Sequence, residues 1–219
     1  MGHRTRRDFP SPEPTDHVAV RGLLTEAEVE SRVRAAGRRV LEFRQRGFHC
    51  SESVFQAIND ALDITDPAMV RIVTGFHGGG GIHRTQPGID IASVLREQRS
   101  GERRYRGDEV PLVRVGHLCG ALAAGIVCIG LLYGRRSPDD DLNCVDELCY
   151  KLHRRFFQES HGRECQFLRE NYVPMTPKQN CETIYRKATE ITVELLLTSS
   201  RLVPECSGAR TRTPKAGPA

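Results

Sequence analysis

The chain has 219 residues, of which 38% are hydrophobic and 27% are charged, a balance typical of a folded globular protein. This length favours one domain with tails or an insertion over a multidomain assembly. The net charge of +4 is small, and aromatic residues make up only 6% of the chain, so we do not expect nucleic acid as a partner. The eight cysteines are the unusual part of the composition.

The first residues resemble an export signal but do not complete one. Thr5 to Phe9 is similar to a twin-arginine motif, but prolines and acids follow where an apolar stretch would be needed. We therefore predict that residues 1–22 form a disordered tail and that the protein is cytoplasmic. In that compartment thiols are expected to be free, metal-bound or transiently redox-active rather than in structural disulfides.

Three helices are predicted in the first part of the folded chain. Thr25 and Glu28 form a capping-box pattern, and apolar residues at helical spacing continue from there to a stop at Gly47. A second helix is predicted to begin at Ser51, and Asp66 before a proline is typical of the start of a third.

A run of four glycines, residues 78–81, ends the third helix and permits close approach of the backbone to a partner. The following segment, residues 82–117, is polar and rich in arginine, so we predict an insertion. Its middle, residues 90–99, has the pattern of a short amphipathic helix.

The remaining helices follow the insertion. The stretch from Cys119 to Gly134 is apolar on all sides and predicts a buried central helix, too short to span a membrane. A fifth helix is predicted to end near residues 161–162, a short helix begins at Cys165, and the last long helix begins at Cys181.

These elements predict an all-α fold. No alternating strand pattern of useful length and no internal repeat is present. We expect one compact bundle of about six helices over residues 23–200, with the insertion at 82–117 and a flexible tail at 201–219.

Four cysteines stand at or just before the first turn of a predicted helix: Cys50, Cys119, Cys165 and Cys181. Free N–H groups and the positive helix end favour a thiolate there. If the four ends converge, they supply the ligands of an iron–sulfur cluster or a structural zinc. The four are separated by 69, 46 and 16 residues without a close pair, which favours a cluster or a dithiol over zinc. Position alone leaves open that they only fill the core, as we expect for Cys128, Cys144 and Cys149, whereas Cys206 lies in the tail.

Several segments in order carry a family resemblance. The segment from Cys119 to Gly125 resembles a Cys-Gly-Ala-x-x-Gly signature with one extra residue before the last glycine. Residues 47–53 (GFHCSES) are similar to Gly-Phe-x-Cys-Ala-Glu-Ala, residues 74–80 to a Gly-Phe-Gly-Gly-Gly turn, and residues 130–134 to the helix end. With the two later cysteines, these segments resemble the redox-active C_GCAxxG_C_C family over about residues 38–197.

The resemblance implies a small helical domain in which the four shared cysteines form a redox or iron–sulfur site. The cofactor would be a [4Fe–4S] or [2Fe–2S] cluster, approached by the backbone of Gly78, Gly79, Gly80 and Gly120. Split-Soret cytochrome c proteins are similar, but this chain has no Cys-x-x-Cys-His and so no site for covalent haem. The insertion is longer than the usual link of the family.

Two further hypotheses remain open. In the first, the protein is an enzyme whose small anionic substrate is held by Arg84, Arg96 and Arg103, with His77, His83 and His117 transferring protons. The alternative for these residues is a solvated loop. In the second, no metal is needed, and two thiols cycle through a disulfide or a persulfide. An electron-transfer partner and a homodimer are both compatible with the sequence, and His49 is interpreted as positional rather than ligating.

Overall fold

Helices make up most of the structure, a computed structural model that describes residues 24–84, 88–100, 112–114, 116–178 and 180–207. The α-helices are α1 Glu26–Gln45, α2 Cys50–Leu62, α3 Arg71–Thr74, α4 Ile91–Ser100, α5 Gly120–Tyr133, α6 Asn143–Ser160, α7 Cys165–Phe167 and α8 Glu182–Leu202. Short 3-10 turns lie at Pro67–Val70, His77–Gly79, Val173–Met175 and Pro204–Ser207, and a π turn lies at Leu168–Tyr172. The all-α prediction is confirmed.

Helix α5 is central because its side chains are apolar on every face. It packs against α2, α6 and α8, while α1 packs against α2 and α8. Leu122, Ala124 and Cys128 are fully buried in this arrangement. The predicted buried central helix is therefore present, and α2, α6 and α8 pack around it.

Local signals in the sequence fix where the helices begin. Thr25 caps α1 through the predicted capping box: its backbone N–H and hydroxyl donate to the Glu28 carboxylate, and its Oγ1 accepts from the Glu28 N–H. Asp66 accepts a hydrogen bond from the Ala68 N–H at the start of the following 3-10 turn. These caps satisfy N–H groups that a helix end leaves without partners.

The insertion contains a helix and two short strands. Helix α4 matches the predicted amphipathic segment. Strand β1 (Ile82–Arg84) pairs antiparallel with β2 (Leu112–Arg114), so that residue 82 stands opposite residue 114. These two short strands add to the all-α fold a local pairing that the sequence analysis does not predict. Three-residue strands are too short to display the alternation by which a strand is recognised.

Regular structure continues past residue 200. Helix α8 continues to Leu202, and the 3-10 turn after it buries Val203 and Cys206 against the core. Cys206 forms a disulfide with Cys144, at the start of α6, across a separation of 62 residues. This corrects the expectation that structural disulfides are absent, and the assignment of Cys144 as core filler. Residues 1–23 and 208–219 lie outside the described residues.

None of the described helices combines the length and the apolar character that crossing a membrane requires.

Candidate functional site

The four cysteines at helix starts do lie there in the folded chain. Cys50 and Cys165 are the first residues of α2 and α7, and Cys119 and Cys181 are the N-caps of α5 and α8. All four are free thiols, and all four line one cavity of about 720 Å³. The fold therefore brings four distant helix N-termini to one place.

A short backbone pairing holds two of these cysteines side by side. Leu118 and Glu164 form an isolated antiparallel bridge. On either side of it, the Cys119 N–H donates to the Arg163 carbonyl at 2.8 Å, and the Cys165 N–H donates to the His117 carbonyl at 2.7 Å. The segments that lead into α5 and α7 are thus tied together immediately before each helix begins.

The glycine turn packs against this pairing. Gly78, Gly79 and Gly80 all have positive φ, a backbone conformation that glycine adopts without strain. A Cβ on Gly79 would lie 2.7 Å from the Gly116 carbonyl oxygen and 2.8 Å from the Cys165 Cβ. Only glycine lets the turn pass this close to Cys165.

The turn also approaches Cys50 and the start of α5. The Cys50 sulfur accepts hydrogen bonds from the backbone N–H groups of Gly78 and Ser51. A Cβ on Gly120 would lie 2.5 Å from the Phe76 carbonyl oxygen and 2.9 Å from the Cys50 Sγ. Gly120 therefore sets how closely α5 can approach the glycine turn and Cys50.

Burial and the helix ends act in opposite directions on these thiols. Burial raises the pKa of Cys50, whereas the hydrogen bond from Gly78 and the positive charge of Arg44 act to lower it. Burial likewise raises the pKa of Cys119, and the backbone N–H groups of Leu122 and Ala121 offset this only in part. The expected bias toward thiolate is therefore outweighed by desolvation at these two positions.

Arg44 and Tyr185 line the cavity next to Cys50 and Cys181. Arg44, in the last turn of α1, donates from Nη1 to the Phe48 carbonyl, and its guanidinium lies 5.0 Å from the centre of the Tyr185 ring. Tyr185, one turn after Cys181 on α8, hydrogen-bonds to the Cys181 side chain. Neither residue was among the candidates from the sequence, because a cation over a ring on another helix leaves no local signal.

Two histidines stack on the cavity wall beside Cys50. The rings of His49 and His77 are 4.9 Å apart at 23°, and both residues line the cavity. The Nδ1 of His77 lies 2.8 Å from the Thr74 carbonyl, and Glu52 accepts from both the His49 N–H and the Thr74 hydroxyl. The candidate His77 is thus at the site, together with His49.

The other histidine and arginine candidates are divided between the cavity and the surface. Arg96 lines the cavity, and its Nη2 lies 3.6 Å from an Asp90 oxygen. His83 and Arg84 are exposed on β1. The His117 side chain is 87% exposed, 3.8 Å from the Glu164 carboxylate. None of these three lines the cavity, and Arg103 lies outside the described residues.

Two further free cysteines lie away from the cavity lining. Cys128 is fully buried in the core on α5, and Cys149 is half-buried on α6. Burial raises the pKa of both thiols. Both fit the core-filling role expected for them.

One comparison with known proteins bears on this site. Residues 109–195 match the model of a family described as "Putative redox-active protein (C_GCAxxG_C_C)". The family resemblance is confirmed over these residues. The segment that matches the C_GCAxxG_C_C model contains Cys119, Cys165 and Cys181, whereas Cys50 precedes it and joins them through the fold. No curated protein and no solved structure shows a significant match to the chain.

The donor set of the cavity fits the family description in part. Four cysteine thiols are the usual ligands of iron–sulfur clusters. Within the described ranges, however, no three side chains of the types His, Cys, Asp and Glu are arranged to hold a metal ion. The arrangement therefore does not favour a mononuclear zinc, whose sulfurs must all lie about 2.3 Å from a single ion.

Proposed function

We propose that the protein is a redox protein that binds an iron–sulfur cluster through Cys50, Cys119, Cys165 and Cys181. The observation that carries the proposal is that these four thiols, drawn from four helix N-termini, line one cavity. The family description supports a redox role. A bound cluster would supply reversible one-electron chemistry.

The chain's own contribution would be to hold the sulfurs and to surround them with N–H donors. Gly78 and Ser51 donate to the Cys50 sulfur, and Ala121 and Leu122 donate to the Cys119 sulfur. Hydrogen bonds to cluster sulfurs are an established influence on reduction potential. Cys119 is buried and the other three cysteines are partly exposed, so the site would be shielded from water on the α5 side.

Composition and colour test the proposal directly. Protein purified without oxygen is expected to contain iron and acid-labile sulfide and to absorb visible light. Replacing each of the four cysteines by serine in turn should remove most of the iron. The matched control is Cys149→Ser, which changes a half-buried thiol outside the cavity and should leave the iron unchanged. Iron-free protein that undergoes redox cycling at full rate would contradict the proposal.

A metal-free thiol route is the second candidate. It is favoured by the proximity of Cys50 to both Cys119 and Cys181. Two of these thiols would lose two protons and two electrons to an acceptor disulfide, forming a disulfide within the cavity and two thiols on the acceptor. The route ranks second because a buried neutral thiol is a weak nucleophile. Dithiol oxidation that survives complete removal of iron would favour it.

A further inference from the structure

The cavity extends beyond the four thiols. Its volume of about 720 Å³ is in the range of sites that take small organic molecules. Four basic side chains line it, namely Arg44, Arg96, Arg169 and Lys178, and Glu182 is the one acidic side chain in the lining. Among the residues that the structure describes, the lining therefore carries an excess of three positive charges.

Two of these cations already have carboxylate partners. The Lys178 Nζ lies 2.8 Å from a Glu182 oxygen, and Arg96 is paired with Asp90. In contrast, neither Arg44 nor Arg169 takes part in any of the ion pairs found among the described residues. Two guanidinium groups in the lining of one cavity thus have no carboxylate partner among the described residues.

Arg44 is held in place rather than loosely exposed. It is half-buried, its Nη1 donates to the Phe48 carbonyl, and its guanidinium carbon lies 5.0 Å from the centre of the Tyr185 ring. A guanidinium fixed in this way keeps further N–H donors for a ligand at little entropic cost. Arg169 is exposed, on the π turn after α7, and lines the same cavity.

We propose that the cavity binds a small molecule carrying a carboxylate or phosphate group, held by Arg44 and Arg169 beside the four cysteines. Both groups present paired oxygens that match the fork of a guanidinium. The proposal deepens the proposed redox function by naming the class of ligand that the site admits. It also moves the anion site from the insertion to α1 and the segment after α7.

Calorimetric titration of the full chain at low salt, with succinate and with inorganic phosphate as separate probes, tests this inference. We expect saturable binding of at least one probe, and which probe binds identifies the chemistry. Arg44→Gln and Arg169→Gln should each weaken that binding by about tenfold, the effect of losing one charged hydrogen bond. Thermal unfolding of both variants verifies that they fold, and Arg169 is an exposed residue whose replacement should not disturb packing.

The matched control is Arg46→Gln. Arg46 is two residues from Arg44, lies over the Phe43 and Phe48 rings, and does not line the cavity. Its loss removes the same charge and should leave affinity within about twofold, the size of a weak surface effect. Absence of saturable binding by both probes, or an equal loss in Arg46→Gln, would overturn the inference. Because anion binding and iron content are measured separately, the inference and the cluster proposal can each fail while the other holds.

Discussion

Alanine substitutions at three glycines of α5 can show whether close packing at the site has a different effect from close packing in the core. Gly120, Gly125 and Gly130 lie on one helix, so each can be changed to alanine in the same secondary structure. A Cβ on Gly120 would meet the Phe76 carbonyl oxygen and the Cys50 sulfur, whereas a Cβ on Gly130 would meet no described atom within 4 Å beyond its chain neighbours and the adjacent backbone of α5. The alanine variants therefore compare a close contact at the site, a close contact in the core and an open position.

The structure gives the size of each effect. At Gly120 the added carbon would lie 2.5 Å from a backbone oxygen, about 0.9 Å short of an ordinary contact distance of about 3.4 Å. At Gly125 it would lie 2.5 Å from the Thr192 Oγ1 and 2.9 Å from a Leu152 methyl. Overpacking of this kind costs about 1 to 3 kcal/mol in either place. Gly130 is exposed, and alanine there should stabilise the helix by up to about 1 kcal/mol.

The distinguishing result is the behaviour of Cys50. Gly120→Ala and Gly125→Ala should both lower the melting temperature, by about 2 to 4 °C for each kcal/mol lost. Only Gly120→Ala should also change the alkylation rate of Cys50 in the iron-free chain, followed by peptide mass spectrometry, and lower the iron content after reconstitution. Gly130→Ala should leave both measures unchanged. If Gly120→Ala lost stability but kept the Cys50 rate and the iron content of Gly125→Ala, this contact would not position the thiol.

Three other predictions concern the frame around the site. Cys144→Ser should lower the unfolding free energy of the oxidised chain by about 4 kcal/mol, because the disulfide to Cys206 closes a loop of 62 residues; equal melting temperatures with and without reductant would contradict this. Ser51→Ala and Ser53→Ala should each raise the unfolding free energy by up to about 1 kcal/mol in urea unfolding, since both hydroxyls are buried without a hydrogen-bond partner within the described structure. A loss of stability in either variant would contradict this. Asn59→Ala should cost about 2 to 4 kcal/mol, since the buried amide makes three hydrogen bonds to the backbone after α2, and a cost below about 0.5 kcal/mol would show that these bonds contribute little.

The sequence predicts those features whose cause is local. The capping box at Thr25 specifies the start of α1 within four residues, and the all-round apolarity of α5 is enough to place it at the centre. The positions of the four cysteines at helix starts follow from the predicted helix boundaries, and Asn180 beside Cys181 does accept a hydrogen bond from the first residue of α8. That the four ends meet could be expected from the family resemblance, although no single spacing requires it.

Features that depend on distant residues escaped prediction. The partner of Cys144 is 62 residues away, in a stretch whose proline and glycine content predicts a tail. Arg44 reaches the cavity only because α1 packs against α8, where Tyr185 receives it. The stacking of His49 on His77 likewise depends on where α3 ends relative to α2. Each of these contacts is set by tertiary packing rather than by sequence spacing.

The insertion leaves the helical bundle and returns to it at neighbouring points beside the glycine turn. Strand β1 begins two residues after Gly80, β2 ends two residues before Gly116, and the backbones at Gly79 and Gly116 are in direct contact. The insertion is therefore closed at its base by the same contact that packs the glycine turn against Cys165. Its helix α4 still contributes Arg96 and Ser100 to the cavity lining. The insertion thus adds to the cavity lining from a base that is closed beside the glycine turn.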